Sequence, residues 1–534
     1  MRTATTTAAL LIILAVIGTL AGPQWEPQPL QNPLTPTTTA TDIGGVDAAR
    51  SAGANIWEPG TFEVSQQVVT IQLAETTVEA LLRIPVGAPG DVPGMVFVHG
   101  AGTGLFTDAF VDQAHTFASM GIATLVPNKN LETYDMWHRD YVDMAQDYLR
   151  SVAYLRSVDG VDASLVGVYG ESEGTWIVPI MQVHDPDIPW TVLVSPPVVP
   201  PREQAAFAIN NYLRATGVPG QIFRAIPRAV GIQFPGQLLD YADFDVTDWL
   251  RQQSAPILVV YGTDDDSMPI IQGAQQIIAE AAIAGPQAPV TVRYYQGADH
   301  GIRDSNHQVD SQFQVDVGQW VLGMPYTAAA EPRVAGGQPH QEFLATPVPR
   351  PPWWGNGDWI IGTVGGGMAL LLVGPLVWLV YALVLRLVLI LRPDHLGLIA
   401  RDARQAHVPI PGQARMAPEI RPLLLGLSLG TVLTTAALLV YLVAVAQLAL
   451  GQDHSQPVTV GGWIGVRLLG IFCAIMAARI YERARAVRVA RAAGDSESMV
   501  ISGWPAHLTL WTSLAGASIL LLWLAYWGVF QLGI

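Results

Sequence analysis

Three short segments of this 534-residue sequence present a nucleophile, an acid and a base in that order: Gly170-Glu171-Ser172-Glu173-Gly174, Gly262-Thr263-Asp264-Asp265-Asp266 and Asp299-His300-Gly301. A serine hydroxyl is a weak nucleophile at neutral pH. An imidazole that takes its proton activates it, and a carboxylate on the other ring nitrogen fixes the tautomer and stabilises the imidazolium. Ser172 is therefore read as the nucleophile and His300 as the base. Asp265 is read as the acid, from its place three residues after Gly262 and four before Pro269. Acyl transfer also puts negative charge on a substrate oxygen, which backbone N–H groups must meet. The expected donors are Glu173 N–H, at a helix start, and Ala101 N–H, with Gly102 N–H next, in His99-Gly100-Ala101-Gly102-Thr103-Gly104, where glycines allow close backbone approach. His99 itself is expected to be structural. The eleven histidines show no metal-ligand spacing, and there is no phosphate loop or dinucleotide fingerprint, so no cofactor or metal is expected.

A Gly-x-Ser-x-Gly pattern alone says little, and the sequence contains a second copy, Gly426-Leu427-Ser428-Leu429-Gly430. That copy lies inside a long apolar run with no preceding strand and no partner histidine, and it reads as small residues at a helix contact. The Ser172 copy follows the apolar run 165–169 and precedes a helical pattern, the strand–turn–helix context that exposes a hydroxyl. The segments able to position these residues alternate. Strand-like runs occupy 64–73, 78–84, 94–99, 122–127, 165–169, 190–195, 257–261 and 290–295. Helical patterns occupy 110–119, 141–157, 175–183, 271–283 and 309–322. Such alternation predicts a mostly parallel eight-stranded sheet with helices on both faces, the first two strands forming an antiparallel start. Residues 198–250 interrupt the alternation with a helix-rich insertion, expected to be a cap.

On these residues the segment from about 60 to 325 resembles the α/β-hydrolase superfamily. It looks most like exported bacterial members near the dienelactone-hydrolase and prolyl-oligopeptidase-like esterases. The resemblance is carried by His99–Gly102, by Gly170–Gly174 with Trp176-Ile177-Val178-Pro179, by Gly262–Pro269 and by Asp299-His300-Gly301. It implies an α/β-hydrolase fold and a small-molecule ester or acyl substrate. Glutamate on both sides of Ser172 is unusual for a general lipase and argues against acidic substrates.

The composition changes near residue 358. Residues 1–358 hold 16 Lys+Arg against 37 Asp+Glu, a net of −21; residues 359–534 hold 12 against 7, a net of +5. So acidic a front half, with no basic stripe, excludes nucleic acid as a partner. Residues 1–22, with one arginine and a 13-residue apolar stretch, read as a signal peptide or an N-terminal anchor. Residues 23–60 read as a linker, 61–325 as the hydrolase domain and 326–358 as a Pro-rich linker ending in interfacial tryptophans. Four apolar runs follow in 359–534, at 360–385, 423–450, 458–478 and 508–530, each long enough to cross about 30 Å of hydrocarbon. Arginines gather in 386–415 and 479–491, whereas 451–457 has none. The positive-inside rule places both arginine clusters in the cytoplasm, and the hydrolase domain and C-terminus outside. Arg467, in the third run, is expected to face the bundle or snorkel.

The sequence thus favours a bilayer-tethered extracytoplasmic esterase acting through an acyl-enzyme, with no indication of protein partners. A serine peptidase or acyl-peptide hydrolase on the same fold is the alternative. A non-enzymatic membrane assembly module is a third reading, disfavoured by the three motifs.

Overall fold

The computed structural model describes residues 2–235, 238–283, 288–391, 415–451, 453–494 and 500–531. Its contacts divide the chain into two compact units: residues 26–211 with 236–348, and residues 1–25, 212–235 and 349–534.

The first unit is built on one sheet of nine strands: β1 (Glu63–Gln72), β2 (Thr77–Val86), β3 (Val92–Val98), β4 (Ala123–Pro127), β5 (Val161–Glu171), β6 (Thr191–Val194), β7 (Ile257–Gly262), β8 (Val290–Tyr295) and β9 (Val334–Gly336). Their spatial order is β1-β2-β4-β3-β5-β6-β7-β8-β9. β1 and β2 form an antiparallel hairpin, β2 meets β4 antiparallel, and every later pairing is parallel. All eight strands expected from the sequence are present. The ninth lies in the stretch read as a linker: three residues give too short a period to stand out, and only pairing with β8 makes them a strand.

The central strands are buried on both faces, as parallel strands between helices must be. Val96, Val98, Val166, Val168, Val259 and Val292 face one core, under helices Tyr141–Arg156, Gly174–His184 and Ile270–Ile283. Met95, Phe97, Tyr169, Val192, Val194 and Val260 alternate with them and face the other, under Val111–Ser119 and Ser311–Leu322. There Trp190 and Trp320 meet edge to face, with centroids 6.3 Å apart. The 26–43 segment is also tied to this unit. Thr37 N–H donates to Val334 O at 3.0 Å, and the Arg293 guanidinium donates to Thr41 O and Asp42 O.

Among its described residues the second unit holds five helices long and apolar enough to cross a membrane: Arg2–Ala21, Gly357–Val388, Ile420–Leu450, Pro457–Ala492 and Trp504–Tyr526. The last four correspond to the four runs read from the sequence. The fourth is longer than its run: a π-helical turn, Pro457–Gly462, leads into Trp463–Ala492. Arg479, Arg483, Arg485, Arg488 and Arg491 therefore lie on the helix itself and not in a loop. Arg467 comes early in that helix, and its guanidinium donates to Gln531 O at 2.5 Å. Of the other arginine cluster, Arg392, Arg401 and Arg404 lie outside the described residues.

Helix Arg2–Ala21 packs against Trp463–Ala492 and Trp504–Tyr526. Thr3 and Thr6 donate to the Glu482 carboxylate at 2.9 and 3.0 Å. Gly18 lies so close to Ala525 that a Cβ there would sit 2.1 Å from Ala525 O. From the insertion, Arg228 donates to Gly18 O at 2.9 Å and stacks over Tyr526. Residues 212–235 of the expected cap thus pack with the apolar helices of this unit.

Candidate active site

β5 delivers the candidate nucleophile, Ser172. It ends at Glu171, and helix Gly174–His184 begins three residues on. Turning that sharply forces Ser172 to φ 54°, a conformation non-glycine residues rarely adopt. The flanking glycines are required by space. A Cβ on Gly174 would stand 2.5 Å from Val98 O, and one on Gly170 would stand 2.7 Å from Val178 Cγ2. The strained turn presents Ser172 at the surface end of the sheet, half-buried. Ser428 sits within helix Ile420–Leu450, lining a cavity of about 340 Å³ in the second unit. Its flanking Gly430 faces Cys473 and Phe472, a close helix contact.

The candidate acid and base meet. His300 Nδ1 lies 2.9 Å from Asp265 Oδ2. Of the three consecutive carboxylates only Asp265 is buried, at 5 % exposure, while Asp264 and Asp266 are exposed. Asp264 accepts from Thr263, its neighbour, and the Asp266 carbonyl accepts from Asn211. Burial works against the charged form of Asp265. His300 and hydrogen bonds from Ser267 and Ser195 overcome this and hold its pKa below the ordinary value. Ser267 Oγ donates to Asp265 Oδ1 at 2.5 Å and stands 3.1 Å from His300 Nδ1. Ser195 Oγ accepts from Gly301 N–H at 3.3 Å. Among the described residues no hydrogen bond joins Ser172 to His300. Contacts of this kind often close only when substrate arrives.

A second carboxylate shares the site. Glu171 reaches towards the histidine turn: its Oε1 is 3.0 Å from the Cβ position of Gly301. Burial raises the Glu171 pKa. For His300 burial favours the neutral ring, but Asp265, Glu171 and Asp299 outweigh it and push the pKa up to about 9. Its side chain keeps 37 % exposure, open to a substrate.

The two expected oxyanion donors lie on loops that converge near Ser172. A Cβ on Gly100 would fall 3.1 Å from Ser172 Cβ, so the loop after β3 runs against Ser172. Among the described residues neither Ala101 N–H nor Glu173 N–H donates to a protein acceptor. His99 is buried, with Nε2 2.8 Å from Pro127 O, and burial lowers its pKa to about 4.

Ser195, Ser267 and the groups around the Glu173 carboxylate were not singled out in the sequence, and Glu171 enters there only as a charge disfavouring acidic substrates. Ser267 carried a usable signal, since Asp-x-Ser commonly closes a side-chain turn of this kind. Ser195 and the Glu173 partners come from other strands and loops and left none.

The sheet order and the strained serine turn define an α/β-hydrolase-like fold, followed by a separate multi-span region. The family model of the prolyl oligopeptidase family matches residues 110–321. Solved structures similar to this chain include the esterase Est1E from Butyrivibrio proteoclasticus, with 17 % identity, 47 % of this chain and 96 % of that chain covered, and a TM-score of 0.33. An esterase of Pyrococcus furiosus gives 13 %, 55 % and 98 %, with a TM-score of 0.36. A dienelactone hydrolase-like promiscuous phosphotriesterase from metagenomic libraries gives 15 %, 48 % and 94 %, with a TM-score of 0.31. No curated protein sequence matches the chain.

Proposed function

We propose that this protein is a membrane-tethered serine hydrolase that cleaves carboxylic esters outside the cytoplasm. The observation that carries this reading is Ser172 at φ 54° on a strand–turn–helix, on the sheet that also presents the His300–Asp265 pair. In the reaction Ser172 Oγ attacks the ester carbonyl while His300 Nε2 takes its proton. The carbonyl π-electrons move to oxygen, where Ala101 and Glu173 N–H groups stabilise the charge. Collapse expels the alcohol, which leaves with the proton from His300. Water then repeats the sequence on the acyl-enzyme and releases the acid. Asp265 holds the imidazole, and Ser267 and Ser195 hold Asp265.

A fluorophosphonate probe should label the full-length protein in detergent, and Ser172→Ala should abolish labelling while Ser428→Ala leaves it unchanged. Labelling that persists in Ser172→Ala would overturn the assignment. The match of residues 110–321 to the prolyl oligopeptidase family favours the peptidase as a second reading. Turnover of aminoacyl anilides in preference to chromogenic esters would decide for it.

The hydrolase domain is proposed to face outward, with helix Arg2–Ala21 retained as a first span. Its contacts agree with the order in which the spans would cross. Thr3 meets Glu482 at one end, where the arginines of helix Trp463–Ala492 gather, and Gly18 meets Ala525 at the other.

A further inference from the structure

Lys129 is the only lysine in 534 residues, and its side chain is 1 % exposed. Burying an ammonium is costly unless its donors are used. Its Nζ has two oxygen partners: Glu173 Oε2 at 3.3 Å and Gly100 O at 2.8 Å, the carbonyl being the closer. The ammonium also sits 3.8 Å from the centroid of the Tyr134 ring.

Neutralising Glu173 does not call for it. That carboxylate already pairs with Arg139 and accepts from Tyr134 OH at 2.7 Å and Tyr141 OH at 3.2 Å. Of the groups around Glu173, only Lys129 reaches the Gly100 carbonyl, which also accepts from Thr103 Oγ1, on its own loop, at 3.4 Å. In a trans peptide the C=O and the following N–H point in opposite directions. With Gly100 O drawn into the buried cluster, Ala101 N–H is turned out of it, on the loop that lies against Ser172. The main chain of residue 129 adds a second tie, because its N–H donates to Gly104 O at 2.7 Å. Its neighbour Asn128 accepts from Phe106 N–H at 2.8 Å. The segment after β4 therefore holds the 100–106 loop at three points.

We propose that Lys129 is a positioning residue for the oxyanion hole: it fixes the Gly100–Ala101 peptide plane and, through Glu173, ties that loop to the turn that carries the other donor. A cation on the carbonyl of a peptide also polarises it and strengthens its N–H as a donor. The inference rests on the serine-hydrolase reading and deepens it. One buried side chain links the two donors, which come from loops about 70 residues apart.

The test uses the full-length protein in detergent with a chromogenic acetate ester, comparing wild type, Lys129→Met, Lys129→Arg and the double variant Lys129→Met/Glu173→Gln. Losing alignment of one oxyanion donor should lower kcat of Lys129→Met by roughly 10–100-fold, with KM within about threefold, since the interaction exists only in the transition state. Lys129→Arg, which can still donate to Gly100 O, should recover part of kcat. The double variant also removes the carboxylate charge that Lys129 contacts, and its kcat should stay as low as that of Lys129→Met, because Gly100 O still lacks its cation. Full recovery of kcat in the double variant would show that Lys129 only balances Glu173, and would overturn the proposal. So would a Lys129→Met protein with wild-type kcat, or a loss confined to KM. Those outcomes leave the hydrolase reading intact, because wild type still turns over and takes the fluorophosphonate. A wild type that does neither overturns both.

Discussion

At Asp265 the choice among three adjacent carboxylates comes down to burial and reach. Its neighbours sit in solvent, while it alone contacts His300 and two serine hydroxyls. Asp265→Asn should lower kcat by roughly 10³–10⁴-fold through the wrong imidazole tautomer. Asp264→Asn and Asp266→Asn should change it less than about fivefold. Steady-state kinetics on the three variants decides this, and a larger loss at either neighbour would reassign the acid. His300 leads to a pH dependence. A base works when neutral, and its pKa is pushed up to about 9, so kcat/KM should rise with pH through the alkaline range, above the ordinary histidine pKa of about 6.5. Glu171 helps hold the proton there. Glu171→Gln should therefore move the acidic limb of the profile to lower pH. A limb that stays in place, or moves up, would remove Glu171 from the site's electrostatics.

Among the elements, helix Arg2–Ala21 reads in the sequence as a leader or an anchor, and its packing supports the proposed anchor. A cleaved leader leaves no packing partners behind. This helix accepts from Arg228 and Gln531 at Gly18 O, and carries the hydroxyls that meet Glu482. Removing residues 1–22 would strand a guanidinium and a carboxylate, each costly to leave unpaired. The intact mass of protein purified from membranes should include these residues. A single external cut within 349–356 should then leave the hydrolase domain membrane-bound. Release of an active domain by that one cut would show that the first helix had been removed. Gly18→Leu, which would drive a side chain into Ala525 O, should lower Tm by several degrees.

For the whole molecule, the proposed topology of five spans with an inward N-terminus places the hydrolase domain and the C-terminus outside. In a Cys473→Ala background, Arg488→Cys should resist an impermeant thiol reagent until cells are opened, whereas His454→Cys should react at once. The reverse pattern would invert the topology, and a cytoplasmic hydrolase would meet different esters.

Much of this was legible in the amino-acid order because it depends on local pattern. The eight longer strands, the serine turn and the four C-terminal runs are written in hydrophobic period and length, which neighbours in sequence share. His300 could be proposed as the base because it follows β8, and Ser172 as the nucleophile because it follows β5. Other features depend on residues brought together from distant parts of the chain. β9 is three residues that pair only because β8 offers an edge, and residues 212–235 join the apolar helices through Arg228. Lys129 looks like an ordinary charge in the sequence. Only folding buries it between Gly100 and Glu173, where its lost hydration must be replaced by those two oxygens.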